Sequence, residues 1–245
     1  MRKTLSAFAC LLLGTLANAQ PTPSSPFAVS SELSNAISGG KSQFVRTFDD
    51  RFRDATKGSP FLFDEWVPGT LLLRDNSITG DSLLYKFDTY RNEVWARKIG
   101  GDSVIPYSEY IREVELQHPD GRAWQFKKYA LDSASAPRFY QPIYDGVRYT
   151  LIKDERKLLV KANFVERGVY TTGLPYDRFE GTVTEYYIQV KKGHSFGKIA
   201  LKTRDLTDLA PGQYAEEVAA FCKKEKIPKK LSEQEAAKLL GFIDR

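Results

Sequence analysis

Between Gly69 and Lys202 the chain is cut into short alternating apolar runs by turn residues, and no segment of helix length intervenes. Leu71 to Arg74 ends at Asp75-Asn76-Ser77. Leu83, Tyr85 and Phe87 alternate before a turn over 88–92, Val94 and Ala96 follow, and Gly100-Gly101 precedes Val104. A period of two puts alternate side chains on one face of a strand, and short connections join antiparallel neighbours. Parallel βαβ units would need crossovers that are not there. The expected fold is therefore mainly β, of the α+β kind: an antiparallel meander forming a curved sheet or a sandwich. Thirteen Tyr, 15 Phe and 3 Trp suit the half-buried pleated surfaces such a fold needs.

Two hairpins can be registered. His118-Pro119-Asp120-Gly121-Arg122 has Pro preset for a turn and Gly free to take the left-handed conformation. A three-residue loop there sets Leu116 opposite Trp124 and Val114 opposite Phe126, with Glu113, Glu115, Gln125 and Lys127 on the other face. Both alternations agree on this register. The second hairpin, turning tightly at Gly193-His194, would set Ile188 opposite Ile199 and Tyr186 opposite Leu201.

The ends of the chain read differently. Pro211 suits a first helical turn, followed by a face of Tyr214, Val218, Phe221 and Cys222. Ser232-Glu233-Gln234-Glu235 is a capping box for a second helix presenting Ala236, Leu239, Leu240 and Ile243. Neither helix is long enough to persist alone, so 204–245 is expected as a helical pair packed on a β domain spanning 58–203. At the other end Arg2 and Lys3 precede an apolar run from Leu5 to Leu16, then Ala17-Asn18-Ala19 before Gln20, the pattern of a cleaved signal peptide over 1–19. The run is too short to span a bilayer. Export to the periplasm or beyond the cell is the expectation, with no transmembrane segment. A leader over 20–57 follows, with short helical patterns at Val29, Leu33, Ile37 and at Phe44, Phe48, Phe52.

The formal charge of +5 falls to +3 once Arg2 and Lys3 leave with the signal, too little to argue for nucleic acid. Five lysines between Lys223 and Lys230 read as a solvated connection, or as a contact for an anionic surface. Only Cys222 lies beyond the signal, so the mature chain holds no internal disulfide. On an apolar helix face it reads as a buried, unreactive thiol.

The run from Gly58 through Trp66 to Gly69, then a strand, then Gly80 through Tyr85 to the Asn92 turn, resembles a group of exported bacterial β-rich proteins of unknown function. The basic connection and two helices of the tail are similar as well. The resemblance implies the fold class and export, and no functional residue.

Motifs for chemistry are sparse. Gly39-Gly40-Lys41-Ser42 lacks the earlier glycine of a phosphate loop, since Asn35 stands in its place. His118 and His194 both fall at turns, poor positions for an oriented base. No His or Cys spacing suits a metal, and nothing calls for a cofactor. Asp49-Asp50, Asp64-Glu65 and Glu216-Glu217 are adjacent pairs whose members diverge, so a hydrolase would need carboxylates from distant segments. Trp66, Trp95, Trp124, Tyr186 and Tyr187 could line a groove for sugars or an apolar ligand, but cross-strand packing, which already explains Trp124 opposite Leu116, is the favoured reading. The reading favours a non-catalytic binding or structural component of the cell envelope, partnered by an envelope protein, a glycan or a lipid. The alternatives are a carrier holding an apolar ligand or lipid in a curved-sheet cavity, and a hydrolase with dispersed carboxylates.

Overall fold

The computed structural model of the chain describes residue 33 and residues 35–37, 44–47, 56–79, 82–167, 170–193 and 195–245. The signal peptide, Gly39-Gly40-Lys41-Ser42, Asp49-Asp50 and His194 lie outside the described residues.

The strands among the described residues are β1 (Val45–Thr47), β2 (Thr56–Lys57), β3 (Val67–Leu73), β4 (Leu83–Asp88), β5 (Glu93–Lys98), β6 (Ser103–Pro106), β7 (Ile111–Gln117), β8 (Ala123–Tyr129), β9 (Arg138–Asp145), β10 (Tyr149–Val160), β11 (Val165–Arg167), β12 (Tyr170–Thr172), β13 (Asp177–Val190) and β14 (Gly197–Ile199). Twelve of them make one open sheet in the order β1-β6-β5-β4-β3-β7-β8-β9-β10-β13-β14, with β2 added in parallel beside β13. Strands β11 and β12 form a separate hairpin. The meander expected from the turn spacing is the architecture found.

Strand β3 belongs to both halves of the sheet. Its Val67 and Pro68 pair with Tyr85 and Leu84 of β4, whereas Gly69 to Leu73 pair with β7. Beyond this branch the sheet curls over itself: Phe87 of β4 stacks on Phe126 of β8 at 4.3 Å and meets Phe139 of β9 edge-on at 6.0 Å. The first core fills that curl with Leu71, Tyr85, Val114, Leu116 and their neighbours, and the helical residues Leu33 and Ile37 pack into it. Asn92, at φ 60 in the β4–β5 turn, closes the curl with a pair of bonds to one residue. Its Nδ2 donates to Phe139 O at 2.9 Å, and Phe139 N donates to its Oδ1 at 2.8 Å.

The β7–β8 hairpin has the expected register, Leu116 against Trp124 and Val114 against Phe126, with Gly121 at φ 84. The second hairpin differs. Tyr186 opposes Ile199 and Ile188 opposes Gly197, two residues away from the expected pairing. The shift goes with Phe196, whose N is held by Leu131 O at 2.7 Å and whose ring packs edge-on against Tyr129. A slip of two keeps every side chain on its own face, so alternation could not detect it. Around Phe44 the expected helical repeat is replaced by β1, an edge strand on β6. Val45 and Thr47 are β-branched, and Tyr107 N anchors Phe44 O at 2.9 Å.

Three tail helices cover the outer face of β9, β10 and β13: α1 (Thr203–Thr207), α2 (Ala215–Lys224) and α3 (Glu233–Ile243). The capping box at Ser232 and Glu235 is complete, and the buried residues of α3 are Ala236, Leu239, Leu240 and Ile243, as its sequence implies. They meet Tyr149, Leu151, Ile188 and Leu206 in a second core. Pro211 precedes a single 3-10 turn, so α2 starts late, at Ala215. Tyr214 therefore stays 41% exposed, not on a buried face. Cys222 is half-buried beside this core, and partial burial pushes its thiol up. The end of α3 is clamped by Asp244, which accepts from Tyr144 Oη at 2.9 Å and Arg148 N at 2.7 Å. No helix of the described residues is long and apolar enough to cross a membrane.

Candidate functional site

The residues just before β3 form one wall of a cleft. Gly58, at φ 81, crosses so close to β13 that a Cβ there would lie 2.9 Å from Phe179 O, which is why β2 can run beside Asp177 and Arg178. The chain then bends over the end of β4. Thr89 N donates to Pro60 O at 3.0 Å, Leu62 N donates to Phe87 O at 2.8 Å, and Phe61 bridges to Asp88. Asp88 is fully buried and organises the turn below by accepting from Arg91 N at 2.8 Å and Arg91 Nη1 at 3.2 Å. Burial pushes its carboxyl up, partly offset by those Arg91 contacts.

This bend covers the outer face of β5. Val94, Trp95 and Ala96 are consecutive and all buried, a break in the alternation that only a second layer can produce. Phe61 stands edge-on to Trp95 with ring centres 5.2 Å apart. Lys86, directly opposite Trp95 on β4, lays its ammonium 4.9 Å from the Phe61 ring and 5.5 Å from the Trp66 ring. It also donates to Asp64 O. Arg97 sits 4.5 Å over the other side of the cluster, on Trp66. The opposite wall is Tyr90 edge-on to Phe179 at 5.4 Å. There Lys161 and Asp177 make an ion pair at 2.8 Å. Between the walls lies a cleft of about 560 Å³, within the range of about 300–1,000 Å³ common for ligand pockets.

Ammonium groups over ring faces and edge-on ring pairs hold these walls in place. Asp177 is held below the usual carboxylate range by Lys161 and by the Ala162 amide, 2.7 Å away. The cleft thus offers apolar ring surface, fixed ionic groups of both signs, and the hydroxyl of Tyr90.

Of the aromatic residues singled out in sequence, Trp95 lines this cleft and Trp66 stands next to it across Lys86. The others lie elsewhere. Trp124 packs edge-on against Phe63 at 4.7 Å, beside His118. Tyr186 lies under the tail, its hydroxyl donating to Glu233 at 2.9 Å, and burial with that bond pushes its pKa up to about 12. Tyr187 points to the opposite face and donates to Glu185 at 2.7 Å. Adjacent residues of one strand cannot share a groove. His118 is a turn residue, as expected, with its ring packed 4.7 Å from Phe63. Phe61, Tyr90, Lys161, Asp177 and Phe179 were not legible as site residues, because four separate segments supply them.

Among the described residues no three His, Cys, Asp or Glu side chains gather as a metal site. No family model, no curated protein and no solved structure matches this chain.

Proposed function

We propose that this chain is a non-catalytic binding component of the cell envelope, exported as its N-terminal pattern implies, and that the cleft between Trp95 and Phe179 holds a glycan. The carrying observation is the pair of aromatic walls, Phe61 with Trp95 and Tyr90 with Phe179, facing a 560 Å³ space that also contains Lys161 and Asp177. Sugar rings present C–H faces that pack on aromatic surfaces and hydroxyls that need fixed donors and acceptors. The cleft provides both. The resemblance to exported β-rich proteins agrees with this placement.

The two alternatives draw less support. A lipid carrier needs apolar space beneath the helices, where Leu151, Leu206, Leu239 and Leu240 are fully buried against one another. A hydrolase needs two carboxyls free to face a substrate across the cleft, and Asp177 is engaged by Lys161 at 2.8 Å.

The test is a titration of the protein with oligosaccharides from bacterial envelopes, followed by tryptophan fluorescence and calorimetry. Saturable binding is expected, with Phe61→Ala and Tyr90→Ala each weakening it by up to about ten-fold, the worth of one aromatic contact. Saturable binding that neither substitution changes, or no binding by any envelope glycan, would remove the proposal.

A further inference from the structure

The lysines that close α2 are not a loose connection. Lys226 takes φ 52 and donates its amide to Lys223 O at 3.3 Å, while Ile227 N donates to Cys222 O at 2.9 Å. These two bonds form a Schellman ending, and they turn Ile227 back against the second core. Past it the chain is stitched to the segment before α1. Thr203 N donates to Lys229 O at 3.1 Å, the Thr203 hydroxyl donates to Pro228 O, and Leu231 N donates to Leu201 O at 2.9 Å. Lys202 and Lys230 pair directly as a β-bridge. Six lysines (202, 223, 224, 226, 229 and 230) are thereby held exposed on a fixed backbone. None of them forms an ion pair among the described residues. Glu225, the acid in their midst, is taken by Lys238 at 2.6 Å.

The residue at φ 52 is informative. That conformation is natural for glycine or asparagine and unfavourable for a lysine. Glycine would end the helix there without that cost, so Lys226 keeps its charge at the expense of local backbone strain. We propose that this lysine platform docks the protein on an anionic phospholipid bilayer. Six exposed like charges gathered at the end of α2 and beside Thr203 repel one another until a counter-charge covers them. Ammonium groups are point charges without the fork that selects a particular carboxylate or phosphate, so they match a plane of headgroups better than one defined ligand. Clusters of four to eight such residues suffice for binding to acidic membranes.

The experiment is sedimentation of the protein with vesicles of phosphatidylcholine containing about a third phosphatidylglycerol, against pure phosphatidylcholine, at low and high salt. Binding to the anionic vesicles alone is expected, and its loss at about 1 M salt, where screening acts within about 3 Å. Lys226→Gly should melt no lower than the parent, because its backbone is relieved, yet partition about five-fold more weakly. Lys229→Gln with Lys230→Gln should weaken it about 25-fold. Lys98→Gln with Lys192→Gln, remote exposed lysines, should leave it unchanged. No sedimentation with anionic vesicles, parental binding by Lys226→Gly, or an equal loss in the remote variant would each overturn the proposal.

Discussion

Asn92 holds the curled sheet shut, and its removal gives a large and dissectable effect. The pairing of β10 with β9 covers Gln141 to Asp145 and stops there, so the peptide of Phe139 has no strand on that side. Asn92 takes the missing strand's place with one donor and one acceptor, at 2.9 and 2.8 Å. Phe139 is 2% exposed, which leaves water little access to replace them. In Asn92→Ala two peptide groups lose their partners at about 1–3 kcal/mol each, and alanine at φ 60 adds about 1–2 kcal/mol. The expected loss is about 3–8 kcal/mol, a large share of a net stability of about 5–15 kcal/mol. Asn92→Gly loses the same bonds without the backbone penalty and should be about 1–2 kcal/mol less damaging. Equilibrium urea unfolding measures all three proteins, and hydrogen exchange of the Phe139 amide reports the bond itself. If Asn92→Ala unfolds within 1 kcal/mol of the parent, taken as about the size of one ordinary bond, and Phe139 stays protected, the closure argument fails.

Two further outcomes concern the tail. A chain ending at Lys202 exposes Leu151 and Ile188 and should melt well below full length or aggregate, as a thermal scan with light scattering would detect. Equal melting would mark the tail as an independent appendage. Asp244 gives a pH signature. Desolvation pushes its carboxyl up, but bonds from Tyr144 and from the Arg148 and Val147 amides outweigh it and hold it below the ordinary range. A lowered folded-state value means the stabilisation is fully present above about pH 4, the unfolded value, and is lost as pH falls through the folded value. Stability measured from pH 7 downward should fall in that acid window. In Asp244→Asn the protein should start lower and lose that part of the slope.

Where one local rule governs an element, the sequence reveals it. Alternation and a Pro-Asp-Gly turn specify the register of β7 with β8, and the Ser232 box specifies both the start and the buried face of α3. Where a distant contact governs, local reading misses it. The β13–β14 register depends on Phe196 reaching Leu131, and the strand at Val45 depends on β6 being beside it. The cleft is the extreme case. Trp95 was visible as a candidate, but its burial comes from Phe61 folding over β5, and its opposite wall comes from Phe179, more than eighty residues along the chain. Tyr186 and Tyr187 looked equivalent to it and are not, because one lies under the helices and the other on the reverse face.

The branch in β3 carries a consequence for the order of folding. The runs β3 to β6 and β7 to β10 pair neighbour with neighbour, so each can zip from a local hairpin with little loop to close, whereas β1, β2 and the β10–β13 pair join across longer stretches. Strand β3 must satisfy β4 with its first residues and β7 with the rest, across an intervening stretch that contains β5 and β6. Two ribbons therefore meet on a single seven-residue strand, and slow joining there is the expected outcome, measured by stopped-flow refolding. Substitutions at Leu71 or Leu73 should retard refolding, while those at the outer edge of β6 or β14 should chiefly hasten unfolding.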